Sequence, residues 1–190
     1  MKKIKRQIKV IKPPRAEMLN KIARFKDLEG FDDGLPDMLL DDCHRTFLNV
    51  LGFEPPTIPG ATSPFGAVSR PKIRGMKPGF GLSFVACEPG HGTVMHAHDT
   101  NETFMVATGK WKMEWEDAEG THHEILGPHD VCSFPVGIQR LFKCVEVPPG
   151  EKTALLVAII EGNSPNAEYS PEATARMVKQ GILEDVMEPA

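Results

Sequence analysis

Two histidines and a glutamate lie within seven residues of one another in the stretch His96-Ala97-His98-Asp99-Thr100-Asn101-Glu102. On an extended chain, residues two apart point to the same side, so His96 and His98 share one face. Glu102 keeps the same parity, and a turn at residues 99–101 brings it back toward the pair. Two imidazoles and one carboxylate on a common face suit a divalent first-row metal and leave coordination positions open for a substrate or O2. The plainer alternative is a polar hairpin.

Other chemistry-bearing residues give weaker signals. His122 and His123 are neighbours, so one points in and one out of a strand. His129 falls at a turn, His91 follows Gly90, and His44 lies in an N-terminal arm. Cys43, Cys87, Cys132 and Cys144 form no Cys-x-x-Cys pair, which argues against a zinc knuckle or a redox dithiol. Four scattered thiols with no leader-like apolar start suit a reducing compartment, and the expected location is the cytoplasm.

The elements that must hold these residues fall into three stretches. Residues 1–80 read as an arm. Residues 15–28 space Met18, Leu19, Ile22, Ala23 and Phe25 as a helix with Gly30 as a stop, and a second helix is expected from Pro36 to about Leu51. Prolines and glycines then crowd residues 53–80, where Arg70, Lys72, Arg74 and Lys77 offer charge to an anion. Residues 81–162 change to a period of two. Short runs at Leu82–Cys87, Glu102–Ala107, Lys110–Glu116, His122–Leu126, Val131–Phe134, Leu141–Val147 and Thr153–Ile160 are separated by turn residues. Strands at this spacing, with no helices between them, imply an all-β antiparallel sandwich or barrel. Trp111, Met113 and Trp115 share the apolar face of their run, as packing residues or as the lining of a substrate site. Residues 163–190 end in a helix, with Ser170 as N-cap, Pro171 at its first position and Gly181 as its stop. Ala175, Val178 and Ile182 are expected to dock it on the barrel.

Gly90, His96, His98, Glu102 and Gly109 stand at the offsets of the first cupin motif, G-x5-H-x-H-x3,4-E-x6-G, and the stretch resembles that motif at every position. The second motif, G-x5-P-x-G-x2-H-x3-N, has a partial counterpart. Pro135 and Gly137 match, but His129 stands at its first glycine, Arg140 at its ligand histidine and Cys144 at its asparagine. The resemblance covers about residues 81–162. It implies a double-stranded β-helix, a jelly-roll barrel with the metal between the sheets, flanked here by a helical N-terminal arm and a C-terminal helix. It also implies a homodimer.

Arg140 divides the functional reading. A guanidinium has no lone pair to give and is no metal ligand. In one reading His96, His98 and Glu102 hold a divalent metal, Fe(II) ahead of Mn, Ni or Zn, and Arg140 has the catalytic task of orienting an anionic substrate. Trp111 and Met113 are then candidate substrate contacts. The chemistry implied is dioxygenation of a small organic molecule, with a metal-dependent isomerase, lyase or cyclase as the enzymatic alternative. In the other reading no metal binds, Arg140 pairs with Glu102, and the barrel is a non-enzymatic binder.

Composition excludes other classes. The seven basic residues of positions 1–15 face no acid there, and without them the body carries a net charge of about −11. Such a body argues against nucleic acid as a partner. No apolar stretch of about 18 residues is present to span a membrane.

Overall fold

Burial alternates with the period of a β-strand along the runs at 80–87, 110–114 and 154–160, and each expected run from residue 81 onward becomes a strand. The computed structural model describes residues 8–55, 63–66, 70–162 and 166–184. The basic residues of positions 1–7 lie outside them.

Eleven strands among the described residues form two antiparallel sheets. They are β1 (Gly30–Phe31), β2 (Thr46–Leu51), β3 (Phe80–Cys87), β4 (His96–His98), β5 (Glu102–Val106), β6 (Lys110–Asp117), β7 (Gly120–Leu126), β8 (Val131–Phe134), β9 (Arg140–Glu146), β10 (Ala154–Glu161) and β11 (Ala167–Tyr169). One sheet has the order β1-β2-β3-β10-β5-β8 and the other β11-β4-β9-β6-β7. The core between them holds Val85, Phe104, Val106, Trp111, Met113, Phe134, Phe142, Leu156 and their neighbours. The jelly-roll expectation therefore holds.

Both expected N-terminal helices are corrected. Only Arg15–Leu19 is helical (α1), followed by a 3-10 turn at Phe25–Asp27. α1 buries no residue, and a helix this short without a packed face has little to stabilise a second turn. The second expected helix is a 3-10 turn at Pro36–Leu39 followed by β2. Phe47 and Asn49 of β2 turn inward while Leu48 turns outward, and the backbone of β2 pairs with β3. An edge on β3 outweighed the helical spacing.

The C-terminal helix α2 (Pro171–Lys179) starts as expected, with Ser170 Oγ accepting from the Ala173 N–H. Its docking face is rotated from the expected one. Ala173 and Met177 are buried against Leu40, Cys43 and Val94, with Ile182 packed beside them, while Ala175 is exposed and Val178 only half-buried. Polar links tie this end together. Arg45 bonds Asp37 at 2.8 Å in a buried pair, and the Tyr169 hydroxyl donates to the same carboxylate. Asp42 meets Arg176 and Lys143, which hold its carboxyl far below the usual range. No described helix is long and apolar enough to cross a membrane.

Candidate metal centre

The chain enters β4 through a close approach that requires glycine. A Cβ on Gly92 would lie 1.9 Å from the Phe142 carbonyl oxygen, so any side chain would push β4 away from β9. Gly92 bridges Lys143, and His96 then pairs directly with Arg140. After His98 the chain crosses between the sheets, and Glu102 opens β5 opposite Phe134 and Ile160. The expected turn at 99–101 is thus a sheet-to-sheet crossing, which sets the carboxylate across the barrel gap from the two imidazoles.

His96, His98 and Glu102 come together: one ligand atom from each lies within 4.8 Å of the others. His98 Nε2 is 3.6 Å from Glu102 Oε2. His96 and Glu102 are buried, and His98 is nearly so. Each imidazole is oriented by its other nitrogen. His96 Nδ1 lies 2.8 Å from the Val94 carbonyl oxygen, and His98 Nδ1 lies 2.7 Å from that of Asn166. A carbonyl only accepts, so Nδ1 carries the proton on both rings and Nε2 keeps its lone pair. Burial, with the Arg140 charge as a further cause, pulls His96 down to about 3. Burial also lowers His98, against the opposing pull of Glu102. Both rings are neutral at pH 7 and have the form that ligates a metal.

Arg140 reaches the same place. It is 1% exposed, and its Nη2 donates to Glu102 Oε2 at 2.7 Å. Nη1 donates to the carbonyls of Ile138 and His96 at 3.3 and 3.4 Å. Among the described residues its buried Nε–H has no partner, and neither do Thr100 Oγ1 or Gln139 Oε1 in the neighbouring sequence. Buried polar groups are seldom left unpaired, and the Arg140 Nε–H is a donor that a polar ligand would satisfy. The donor set fits a divalent metal, and the spare guanidinium N–H fits an anion beside it.

Other sequence candidates lie elsewhere. Trp111 and Met113 have 0% and 1% exposure, and the Trp111 indole N–H is spent on the Thr108 carbonyl at 3.0 Å. Packed in this way, neither offers surface to a ligand. His122 stacks on Trp115 and meets Asp117 at 3.0 Å on the outer strands. His44 and His91 face each other at 5.8 Å between ring centroids. Burial raises all four thiols, Cys43 to about 12, which leaves them poor nucleophiles. Arg70, Lys72 and Arg74 line a cleft of about 70 Å3 with Asp27, Glu29 and Asn49, beside β1 and β2 rather than at the histidines.

Two features escaped the sequence. The Asn166 carbonyl that orients His98 comes from the segment leading into β11, held there by Asn166 donors on Asp99 at 2.6 and 2.9 Å. No pattern in Ala167–Tyr169 announces a strand. His129, at the second motif's first glycine position, has φ 76°, the left-handed conformation that glycine adopts freely.

No family model matches the chain, and no curated protein matches it. Solved structures do. A vicilin from Solanum melongena aligns with 83% of this chain at 12% identity and a TM-score of 0.52. A cupin 2 domain-containing protein from Halorhodospira halophila aligns with 60% of this chain and 74% of its own, at 16% identity and a TM-score of 0.43. An oxalate oxidase aligns with 56% of this chain at 17% identity and a TM-score of 0.43. The chain spans 36% of the vicilin and 58% of the oxalate oxidase. With its paired antiparallel sheets and its histidines facing a glutamate across the gap between them, the chain has the cupin fold.

Proposed function

We propose that the barrel is a metal-dependent enzyme acting on a small anionic organic molecule, and specifically a non-haem Fe(II) dioxygenase. One observation carries this reading: three ligand atoms lie within 4.8 Å of one another, on two imidazoles locked with Nε2 free. A set of two histidines and one carboxylate with open positions is the donor pattern of non-haem iron oxygenases, with Mn, Ni or Zn as other occupants. When bound, the metal supplies Lewis acidity and a place for O2 and substrate to meet.

The residues of the chain do the rest. His96, His98 and Glu102 hold the ion. Arg140 releases Glu102 and turns its guanidinium to the substrate's negative group, which fixes the substrate's orientation. Phe104 and Phe142 follow two residues after Glu102 and Arg140 on their strands, and Phe134 pairs with Glu102, so the site borders the apolar core, where charge interactions are strengthened. The vicilin that shares the fold was found with different anionic ligands in structurally similar pockets, in keeping with an anion in such a barrel.

A second reading is favoured by the 2.7 Å Arg140–Glu102 bond. In it the guanidinium replaces the metal's charge permanently, and the barrel binds small molecules without catalysis. Elemental analysis of protein purified under reducing conditions separates the two. The enzyme reading expects near-stoichiometric metal that is lost in His96→Ala. Metal below about a tenth of an equivalent, unchanged by His96→Ala, sinks it. Oxygen uptake with aromatic acids or diketones then separates a dioxygenase from an isomerase, lyase or cyclase.

A further inference from the structure

Beyond the metal ligands, one inward row of the smaller sheet carries polar and aromatic groups in place of aliphatic ones. Strand register sets His96 of β4 opposite Arg140 of β9, Arg140 opposite Trp115 of β6, and Trp115 opposite His122 of β7. Residues directly opposite one another in an antiparallel pair share a face. His96 and Arg140 are buried in the barrel, and Trp115 packs against the core from the same side. The row is closed at one end and open at the other. Trp115 is only half-buried, and the His122 side chain, on edge strand β7, is 40% exposed. Trp115 thus differs from Trp111 and Met113, which stand on the same face of β6 but are wholly covered.

The open end of the row is braced. The His122 ring stacks on the Trp115 indole, with 5.9 Å between centroids and 28° between planes. His122 Nε2 meets Asp117 Oδ1 at 3.0 Å, and the same oxygen accepts the Glu119 N–H at 2.8 Å in the β6–β7 turn. A ring fixed before a ligand arrives costs little ordering when it binds. Adjacent strands lie about 5 Å apart, so β6 stands roughly 5 Å from the Arg140 strand and roughly 10 Å from the His96 strand. One aromatic ring with its acid group spans that interval.

We infer that Trp115, braced by His122, determines the specificity of the barrel, and that its ligand is a planar aromatic carboxylate. The inference rests on the proposed role of Arg140 as partner of the anion. The carboxylate takes the guanidinium, whose Nε–H has no partner among the described residues. The ring lies against the indole, where stacking adds to the apolar area covered. A saturated acid of similar size and equal charge makes the first contact and forgoes the stacking.

Benzoate and cyclohexanecarboxylate test this on the full chain, metal-free and Zn(II)-loaded. Binding is read from the indole N–H resonances of the chain's two tryptophans, assigned by the signal missing in Trp115→Phe. Benzoate is expected to bind at least ~3-fold tighter than the saturated acid in at least one of the two forms, and to move the Trp115 resonance and not that of Trp111. Trp115→Leu is expected to bring the two Kd values within ~1.5-fold of each other, while Trp115→Phe keeps the preference. Arg140→Met is expected to weaken both acids at least ~10-fold. Equal Kd values in the wild type, no binding of either acid, or a preference that survives Trp115→Leu overturns the proposal. His122→Ala, at a position exposed enough to leave the fold intact, is expected to halve the preference, and an unchanged preference there overturns the brace. A preference for benzoate without Zn(II) uptake keeps the aromatic site and sinks only the enzyme reading. Zn(II) uptake without the preference sinks only the aromatic site.

Discussion

Replacing Arg140 by methionine keeps an unbranched, flexible stem and removes the guanidinium with its charge. Arg140 is 1% exposed and Glu102 8%, so the substitution strands a carboxylate in the barrel with no cation at 2.7 Å. Breaking a buried pair from one side typically costs about 3–5 kcal/mol, which for a chain of this size is a fall in Tm of roughly 6–20 °C in chelator-treated protein. A divalent metal reverses the sign. A guanidinium and a dication ~5 Å apart repel by about 6–7 kcal/mol at an effective dielectric of ~20. If turning the side chain relieves about two thirds of that, the remaining ~2–3 kcal/mol makes the variant bind metal roughly 100-fold tighter than the wild type. Calorimetric titration with Mn(II) or Zn(II) reads the affinity, and urea unfolding with and without metal reads the stability. Glu102→Gln combined with Arg140→Met is expected to cost less than the sum of the single changes, because neither charge is left alone. The reasoning is refuted if Arg140→Met loses under about 1 kcal/mol without metal and binds metal within about threefold of the wild type.

Acid is expected to destabilise the metal-free protein through His96. Its folded value is depressed to about 3 from 6.5, so below pH 6.5 the unfolded chain binds the extra proton. Stability then falls by up to about 1.4 kcal/mol per pH unit between pH 6 and pH 4, and His96→Gln flattens that limb of an unfolding-versus-pH curve. Gly92→Ala drives a methyl to 1.9 Å from the Phe142 oxygen, and circular dichroism is expected to show a barrel melting at least ~10 °C lower or not folding. His129→Gly relieves a left-handed φ of 76° and is expected to raise Tm by about 1–4 °C, whereas His129→Val lowers it. Ser170→Ala removes the cap on Ala173 and should cost about 1 kcal/mol in urea unfolding.

What the sequence revealed and what it hid follow from how local each determinant is. The two-residue spacing of His96 and His98 fixes their common face whatever the rest of the chain does, so the donor set was readable. The same holds for Trp111 and Met113, whose inward parity was right. Their burial depended on Phe142 arriving from β9, 0–1% exposure being a property of the packed pair of sheets and not of either residue. Thr46–Leu51 carries apolar residues at spacings that serve a helix or a strand equally, and only the free edge of β3 chose between them. The Asn166 carbonyl was invisible for a deeper reason: every residue has a carbonyl, so composition cannot say which one will meet a histidine 68 positions away. Arg140 lies between these cases. Its place opposite His96 was legible from its offset behind Pro135 and Gly137. Its pairing with Glu102 was legible as one of two readings, and the sheet-to-sheet crossing at residues 99–101 is what brings that carboxylate to it. On the proposed metal-dependent reading, that pairing makes Glu102 the shared partner of two competing cations, one built into the chain and one drawn from solution. The balance between them is then expected to set whether the barrel performs chemistry or only binds.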